Sequence, residues 1–531
     1  MKLNLRQLGL FLLLFLVTGP VLPNSPKHPK LIVVLVIDEL DNEQLLMLQP
    51  SLSQNGINRI SRQGFRLMSV TSSDISGYPG TRITSLFSGT TPSVHGVIGE
   101  RWFDQRTNRY VEPVTNDAAQ IKIGSSLSQS PSMADYLKSV FGPTSRAAAI
   151  TLNTPWMVHA LGYSPDAFFS LDLDNGTFKD ACSSGYVEQR WFADFNNQIR
   201  KTNYLQRYWG PRNDITSYTE YRFLDDKHKQ NFRSFYYGLN GNGSNNGRFR
   251  QFAGSPYANT LLRDFTVAFL SNSDFGKDNT PDLLTIGFTA RPFVKTNGVL
   301  LPAEKEDMLI RLDGDIASLI EFMDVEFGRN NYLLILTAGA SSAHDQSTSG
   351  RQGLNSGVVE FPKTAALLNL YLMAIHGQGR WVLDIHDNNV YLNHKLIDEK
   401  GLSLKEIQEI SARFLLQVSG IERTMPTYDL LFNNHAETLY ASNLFPMRTG
   451  DIIITLSPGW QTPATEAGTR QSGRSGKTTL PFIIRGWNVS EGAWLNNLPH
   501  YMVTPIILKQ LGISHPSDVN TPDVPIFKKA H

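Results

Sequence analysis

The chain has 531 residues, 41% of them hydrophobic and 18% charged, with 49 Lys and Arg against 48 Asp and Glu. This balance, free of long like-charge runs, gives nucleic-acid binding no support, and no repeat of solenoid period is present. The single cysteine, Cys182, excludes an internal disulfide framework, so stability must come from packing.

At the N-terminus, Lys2 and Arg6 precede the apolar run Leu8–Val17, and Gly19-Pro20 follows. The run is too short for a comfortable membrane span and has the order of a secretory signal peptide, so residues 1–24 are expected to direct export. An uncleaved N-terminal anchor is the alternative and the only membrane attachment expected. The next segment, Leu31-Ile32-Val33-Val34-Leu35-Val36-Ile37-Asp38, is an apolar, β-branched run. It predicts a strand buried on both faces of a parallel sheet, delivering the Asp38 carboxylate at its carboxyl end, where sites of such sheets lie. Taken alone, Asp38 is equally a turn or capping carboxylate.

From Thr71 to Asp104, turn residues precede a short predicted helix, and a second Gly/Pro-rich turn leads into His95-Gly96. The core Thr84-Ser85-Leu86-Phe87-Ser88-Gly89-Thr90-Thr91-Pro92-Ser93-Val94-His95-Gly96 resembles the nucleophile region of the alkaline phosphatase superfamily. Within it, the likeness is to the phosphate-irrepressible alkaline phosphatases of Gram-negative bacteria and to the type I phosphodiesterase/nucleotide pyrophosphatases. Asp282–Phe288 resembles the next core strand, Arg311–Ala317 the helix after the metal loop, and Leu333–Ala338 the strand entering the main metal motif. Asn389–Asn393, Gly450–Ile454 and Leu480–Ile484 resemble the inserted subdomain and the last strands. The resemblance implies one α/β domain over residues 25–531: a central, mostly parallel sheet flanked by helices, with an α+β cap inserted at about 363–443. In that cap, Ser403 and Glu406 have capping-box spacing, and Leu404, Ile407 and Ile410 recur on one helical face. The stretch from about Thr202 to Ser255, rich in Tyr, Asn, Gly and Arg, reads as long polar loops that cover a site, contact a partner or merely decorate the fold.

The resemblance also implies two zinc ions about 4 Å apart, clamping the attacking and leaving oxygens of a phosphoryl displacement while a hydroxyl attacks. Its ligands are an Asp after the first strand, an Asp-x-x-x-His pair, an Asp-His pair after Thr-Ala, and a late His. Only Asp38 matches. Arg291-Pro292-Phe293-Val294-Lys295 stands at the second motif, Gly339-Ala340 follows Thr337-Ala338, and no histidine lies between His435 and His500. Matching Gly77-Tyr78-Pro79 to the family's Thr-x-Pro turn puts Gly77 at the nucleophile, whereas counting back from Gly89 gives Pro79. Ser76 and Thr81 are the alternative hydroxyls. Glu100 stands where an asparagine is expected on a phosphate oxygen, and Thr151–Pro155 lacks the Lys/Arg pair that grips phosphate in many monoesterases.

These substitutions point to an exported, catalytically degenerate member of the superfamily with a vestigial Asp38 and no expected cofactor. It would sit in the periplasm or cell envelope of a Gram-negative bacterium and bind a protein, glycan or phosphorylated ligand. Arg291 and Lys295 are expected either in solvent or beside Asp38, where their charge replaces that of zinc. With Glu39, Glu100, Arg470, Arg474 and Lys477 they would form either a closed salt-bridge plug or, where cations exceed carboxylates, an anion pocket. The alternative is an active phosphomonoesterase or phosphodiesterase with zinc at a displaced site of Asp38, His344 and Asp345 and a hydroxyl from Ser76 or Thr81. His386-Asp387 reads as a turn.

Overall fold

The computed structural model describes residues 27–528 apart from 73, 105–106, 108, 113–127, 183, 202–205, 223–228, 230–233, 240–244, 294, 297–298, 301, 340–354, 433–437, 464–477 and 518–520. The strands that matter here are, in chain order, β1 (Leu31–Asp38), β2 (Gly64–Ser72), β3 (Ala147–Thr151), β4 (Ala167–Asp172), β5 (Thr177–Asp180), β6 (Asp282–Thr289), β7 (Tyr332–Ala338), β8 (Val382–His386), β9 (Asn389–Leu392), β10 (Ile421–Pro426), β11 (Ile452–Leu456), β12 (Thr478–Gly486) and β13 (Gly492–Pro499). The principal helices are α1 (Pro79–Ser88), α2 (Pro256–Asn272), α3 (Pro302–Glu326), α4 (Phe361–His376), α5 (Leu404–Leu415) and α6 (Val503–Gln510).

Nine strands form the central sheet in the order β13-β2-β12-β7-β1-β6-β3-β4-β5. β1 lies in the middle, parallel to both β6 and β7, and the parallel run continues through β3 to β4. β12 is antiparallel to β7 and β2, and β5 to β4. The mostly parallel α/β sheet expected from the resemblance is therefore present. Leu31, Val33, Leu35 and Ile37 pack into one core with residues of α2 and α3, whereas Ile32, Val34 and Val36 pack into another with residues of α1 and α6. Burial of both faces is why β1 reads as a continuous apolar run rather than as an alternation.

The inserted unit has its own four-stranded sheet, β8-β9-β11-β10, and its own apolar core. It draws on more chain than 363–443: α4 starts at Phe361, and β11 pairs with both β9 and β10. Ser403 caps α5 by accepting the Glu406 N–H, and Ile407, Ala412 and Leu415 are buried. In the Tyr-rich stretch, Tyr208–Trp209 pairs with Tyr237–Gly238, and the Trp209 indole donates to Asp307 on α3 at 2.7 Å. The described part of that stretch is thus anchored to the domain. No helix among the described residues is long and apolar enough to cross a membrane. The expected signal, residues 1–24, lies outside the described residues.

Candidate functional site

Three adjacent parallel strands end together and set the floor of the site. Asp38 closes β1, its carbonyl accepts the Ala290 N–H at 3.0 Å just past β6, and the Ile37 carbonyl accepts the Gly339 N–H at 3.2 Å just past β7. The strand register thus brings Arg291, Asp38-Glu39 and Gly339 to one sheet edge, the edge at which parallel α/β folds hold ligands. On α2, buried Asn259 fixes the end of β6, donating to the Thr289 carbonyl and accepting its N–H.

Glu39 has a left-handed backbone, φ 64°, which turns the chain sharply after the strand. Its carboxylate forms an ion pair with the Arg291 guanidinium. Glu39 first and Asp38 as well hold the Arg291 pKa above its ordinary value, although partial desolvation opposes them. A second cation, Lys305, enters from the first turns of α3 and is only 4% exposed. Burial lowers its pKa, and the neighbouring Glu39, Asp41 and Asp38 carboxylates offset part of that shift. A cation at a helix N-terminus opposes the helix dipole, so these carboxylates are what makes the position tolerable.

Opposite this cluster lies the turn before α1. Gly77 occupies the left-handed region, φ 67°, which lets the chain reverse into Pro79 at the helix start. The Asp74 carboxylate accepts from the Gly77 N–H at 3.2 Å and from the Arg82 guanidinium at 3.0 and 3.1 Å. Burial alone would raise the Asp74 pKa, but Arg82, the Ser72 hydroxyl and His500 outweigh it and hold the carboxyl below its ordinary range. Arg82 also donates to the Gly339 carbonyl at 3.0 Å, tying the turn to the end of β7. Ser76 donates its hydroxyl to Thr81 at 3.1 Å and accepts the Tyr78 N–H at 3.2 Å. Both hydroxyls are buried within the turn.

Beside Gly339 the cavity is filled by a ring. A Cβ built on Gly339 would lie 2.5 Å from Cη2 of Trp156 and 3.2 Å from a Val36 methyl. Trp156 is carried by a 3-10 turn, Pro155–Ala160, shortly after β3, and is itself buried. Any side chain at 339 must displace the indole, because real Cβ atoms do not approach carbon this closely.

The cap contributes the tip of its β8–β9 hairpin. Asp387 and Asn388 both have positive φ, 46° and 63°. The Asp387 carboxylate accepts the Glu100 N–H at 2.5 Å and the Arg101 N–H at 3.3 Å, while Asn388 donates to the Ile75 carbonyl at 3.0 Å. The hairpin tip is therefore docked on the turn that carries Ser76, Gly77 and Tyr78. Burial, then the Glu100 carboxylate, push the Asp387 pKa up to about 7 against the two N–H donors.

The model of the family described as type I phosphodiesterase/nucleotide pyrophosphatase matches residues 53–479. The chain belongs to this family. It is 24% identical over 522 residues to the alkaline phosphatase PafA of Elizabethkingia meningoseptica, covering 93% of each chain. It is also 22% identical over 524 residues to the alkaline phosphatase PhoV of Synechococcus elongatus, covering 94% of this chain and 92% of that one. The crystal structure of wild-type PafA has the same fold, with a TM-score of 0.80 at 21% identity, over 94% of this chain and 99% of that one.

Against the metal centre implied by this membership, the described side chains do not fit. Among the described residues no three His, Cys, Asp or Glu form a group able to hold a metal ion. The carboxylates at Asp38 instead have a guanidinium and an ammonium as neighbours. Lys295 lies on a two-residue strand paired with Val299–Leu300, and its side chain is outside the described set. Ala340, His344, Asp345, Arg470, Arg474 and Lys477 also lie outside the described residues. Sequence reasoning missed Lys305, Arg82, Asp74 and Trp156, and treated Asp387 as a turn residue only. The Asp387 turn exists, but its carboxylate bridges the cap to the 99–101 loop.

The raised Asp387 pKa gives a pH prediction. A carboxyl whose folded pKa exceeds its unfolded value, about 4, favours the folded state when protonated, so its contribution is lost as pH rises from about 4 toward 7. Asp387→Asn keeps an oxygen for the two N–H groups and cannot ionise. Its melting temperature should gain on that of the wild type between pH 5 and pH 8, by an amount on the order of 2 kcal/mol in stability. A constant difference across that range would show that Asp387 does not titrate there.

Proposed function

We propose that this chain is an exported, non-catalytic member of the family, keeping the phosphatase scaffold for binding a protein, glycan or phosphorylated ligand. The observation that carries this reading is the content of the site: Arg291 and Lys305 beside Asp38 and Glu39, Arg82 on the Gly339 carbonyl, and the Trp156 indole where a side chain at 339 would stand. Two-metal phosphoryl transfer depends on a concentrated positive charge with open coordination positions and an activated hydroxyl. Here the positive charge belongs to side chains already compensated by carboxylates, and the hydroxyls of Ser76 and Thr81 bond to each other.

Counting Asp41, two described cations face three carboxylates. The cluster therefore acts as a closed plug rather than an anion receptor. Removing both cations together with Asp38 and Glu39 would be tolerated better than removing the two cations alone.

An active phosphomonoesterase or phosphodiesterase is the second reading. It is favoured by two relatives that carry the name alkaline phosphatase. It requires donors from outside the described residues, His344 and Asp345, to join Asp38.

Zinc content and turnover of an aryl phosphate monoester and diester, measured on the same purified sample, separate the two. The first reading expects near-zero zinc and no turnover that responds to Asp38→Ala, Ser76→Ala or Thr81→Ala. Stoichiometric zinc with turnover abolished by Asp38→Ala would establish the second.

A further inference from the structure

Helix α4 is apolar on both sides. Phe361, Thr364, Leu368 and Leu372 are buried, three of them in the core of the cap, whereas the opposite side exposes Leu367 at 53%, Leu370 at 60%, Tyr371 at 36% and Ile375 at 49%. Ala366 and Ala374 are exposed on the same side, so the spacing 366, 370, 374 and 367, 371, 375 makes one continuous stripe without a charged residue. Its area is roughly 450 Å², at the size where an apolar patch on a monomer ordinarily marks an interaction site. Tyr371 is braced from below by stacking on Phe414 of α5, with ring centroids 4.6 Å apart. The stripe is therefore presented on a rigid base.

We propose that this stripe is the seat of a two-fold homodimer in which α4 packs antiparallel on its own copy. The order of side-chain sizes argues for a second copy rather than an unrelated partner. A two-fold axis crossing the helix between Leu370 and Tyr371 sets Ala366 against the copy's Ile375, Leu367 against its Ala374, and Leu370 against its Tyr371. Each large side chain at the ends of the stripe meets a small one, and Leu370 meets Tyr371 at the centre. That self-complementarity is what an isologous contact requires. The same operation brings Glu360, which pairs with Lys363 of its own chain at 2.6 Å, toward the copy's Arg380 just past the helix end, and both Glu360 and Arg380 are exposed. Antiparallel helices also align their dipoles favourably. Two stripes bury roughly 900 Å², just under the roughly 1,000 Å² that a stable specific interface clears, so the dimer is a weak, reversible one.

Sedimentation velocity of the mature chain from 1 to 100 µM, with Leu370→Glu beside it, tests this. The wild type is expected to pass from monomer to dimer, and Leu370→Glu to weaken dimerisation at least tenfold while keeping the wild-type melting temperature, since the side chain is exposed. A second variant guards against a weak equilibrium. Leu370→Cys, next to the axis, should form a disulfide-linked dimer under mild oxidation, and Val325→Cys, 83% exposed elsewhere, should not. A monomer at every concentration with no Leu370→Cys cross-link above that control overturns the proposal. So does a monomer that floats with lipid vesicles, which would make the stripe a membrane contact.

Discussion

Replacing Arg291 with methionine is expected to lower stability by about 3 kcal/mol, the toll of leaving a buried charge without its partner. The value sits at the low end of that range because the Arg291 side chain is 29% exposed and water recovers part of the loss. Glu39 loses its ion pair, and Lys305 alone must then balance Glu39 and Asp38. Two features distinguish this from a packing defect. The deficit should shrink as pH falls into the carboxylate range, because a carboxyl left without its cation takes up a proton in the folded state; its folded pKa then exceeds the unfolded value, and stability returns at low pH. Adding Glu39→Gln to Arg291→Met should restore at least half of the loss. Chemical denaturation of the wild type and the two variants at pH 5 and pH 7.5 measures both effects. A loss independent of pH and unrelieved by Glu39→Gln would mean that Arg291 acts by packing alone.

The sequence carried the frame of this site and little of its contents. The strand ending in Asp38 was legible because a strand buried on both faces needs an unbroken apolar run, and the carboxyl edge of a parallel sheet is where a loop residue becomes available to chemistry. The resemblance pointed to Arg291 and Gly339 because those positions closely follow recognisable strands, whereas at the turn before α1 it left Gly77 and Pro79 as alternatives. Lys305 was not legible: it is one of several charged residues in Glu304-Lys305-Glu306-Asp307, and only the docking of α3 turns it toward Glu39 rather than solvent. Asp74 and Arg82 are eight residues apart across a turn and a helix start, a separation with no periodic signature. Trp156 was inaccessible for another reason. The sequence puts a glycine at 339 but does not report which ring, from a different strand connection, stands beside it. The cap shows the same limit: its capped helix was read from local pattern, but the pairing of Ile452–Leu456 with strands before it is a non-local fact.

Substituting Trp156 with alanine should cost about 3–5 kcal/mol, the range for removing a large buried aromatic side chain. Gly339→Asp should also destabilise, by roughly 1–3 kcal/mol or more, because its Cβ would meet the indole at 2.5 Å and the carboxylate would enter an apolar wall formed by Trp156 and Val36. The pair is the informative case. Residues competing for one space are coupled, so the double variant Trp156→Ala/Gly339→Asp should lose at least 1 kcal/mol less than the sum of the single losses. The aspartate then occupies part of the cavity that the alanine leaves, within reach of the Arg82 guanidinium that already donates to the 339 carbonyl. Additive losses would mean that the indole and the 339 position do not share a cavity, and would remove one of the observations on which the non-catalytic reading rests. Strong coupling would mean that an aromatic ring now occupies space an acidic side chain at 339 would need, and that this exchange stabilises the fold at the expense of room for the chemistry.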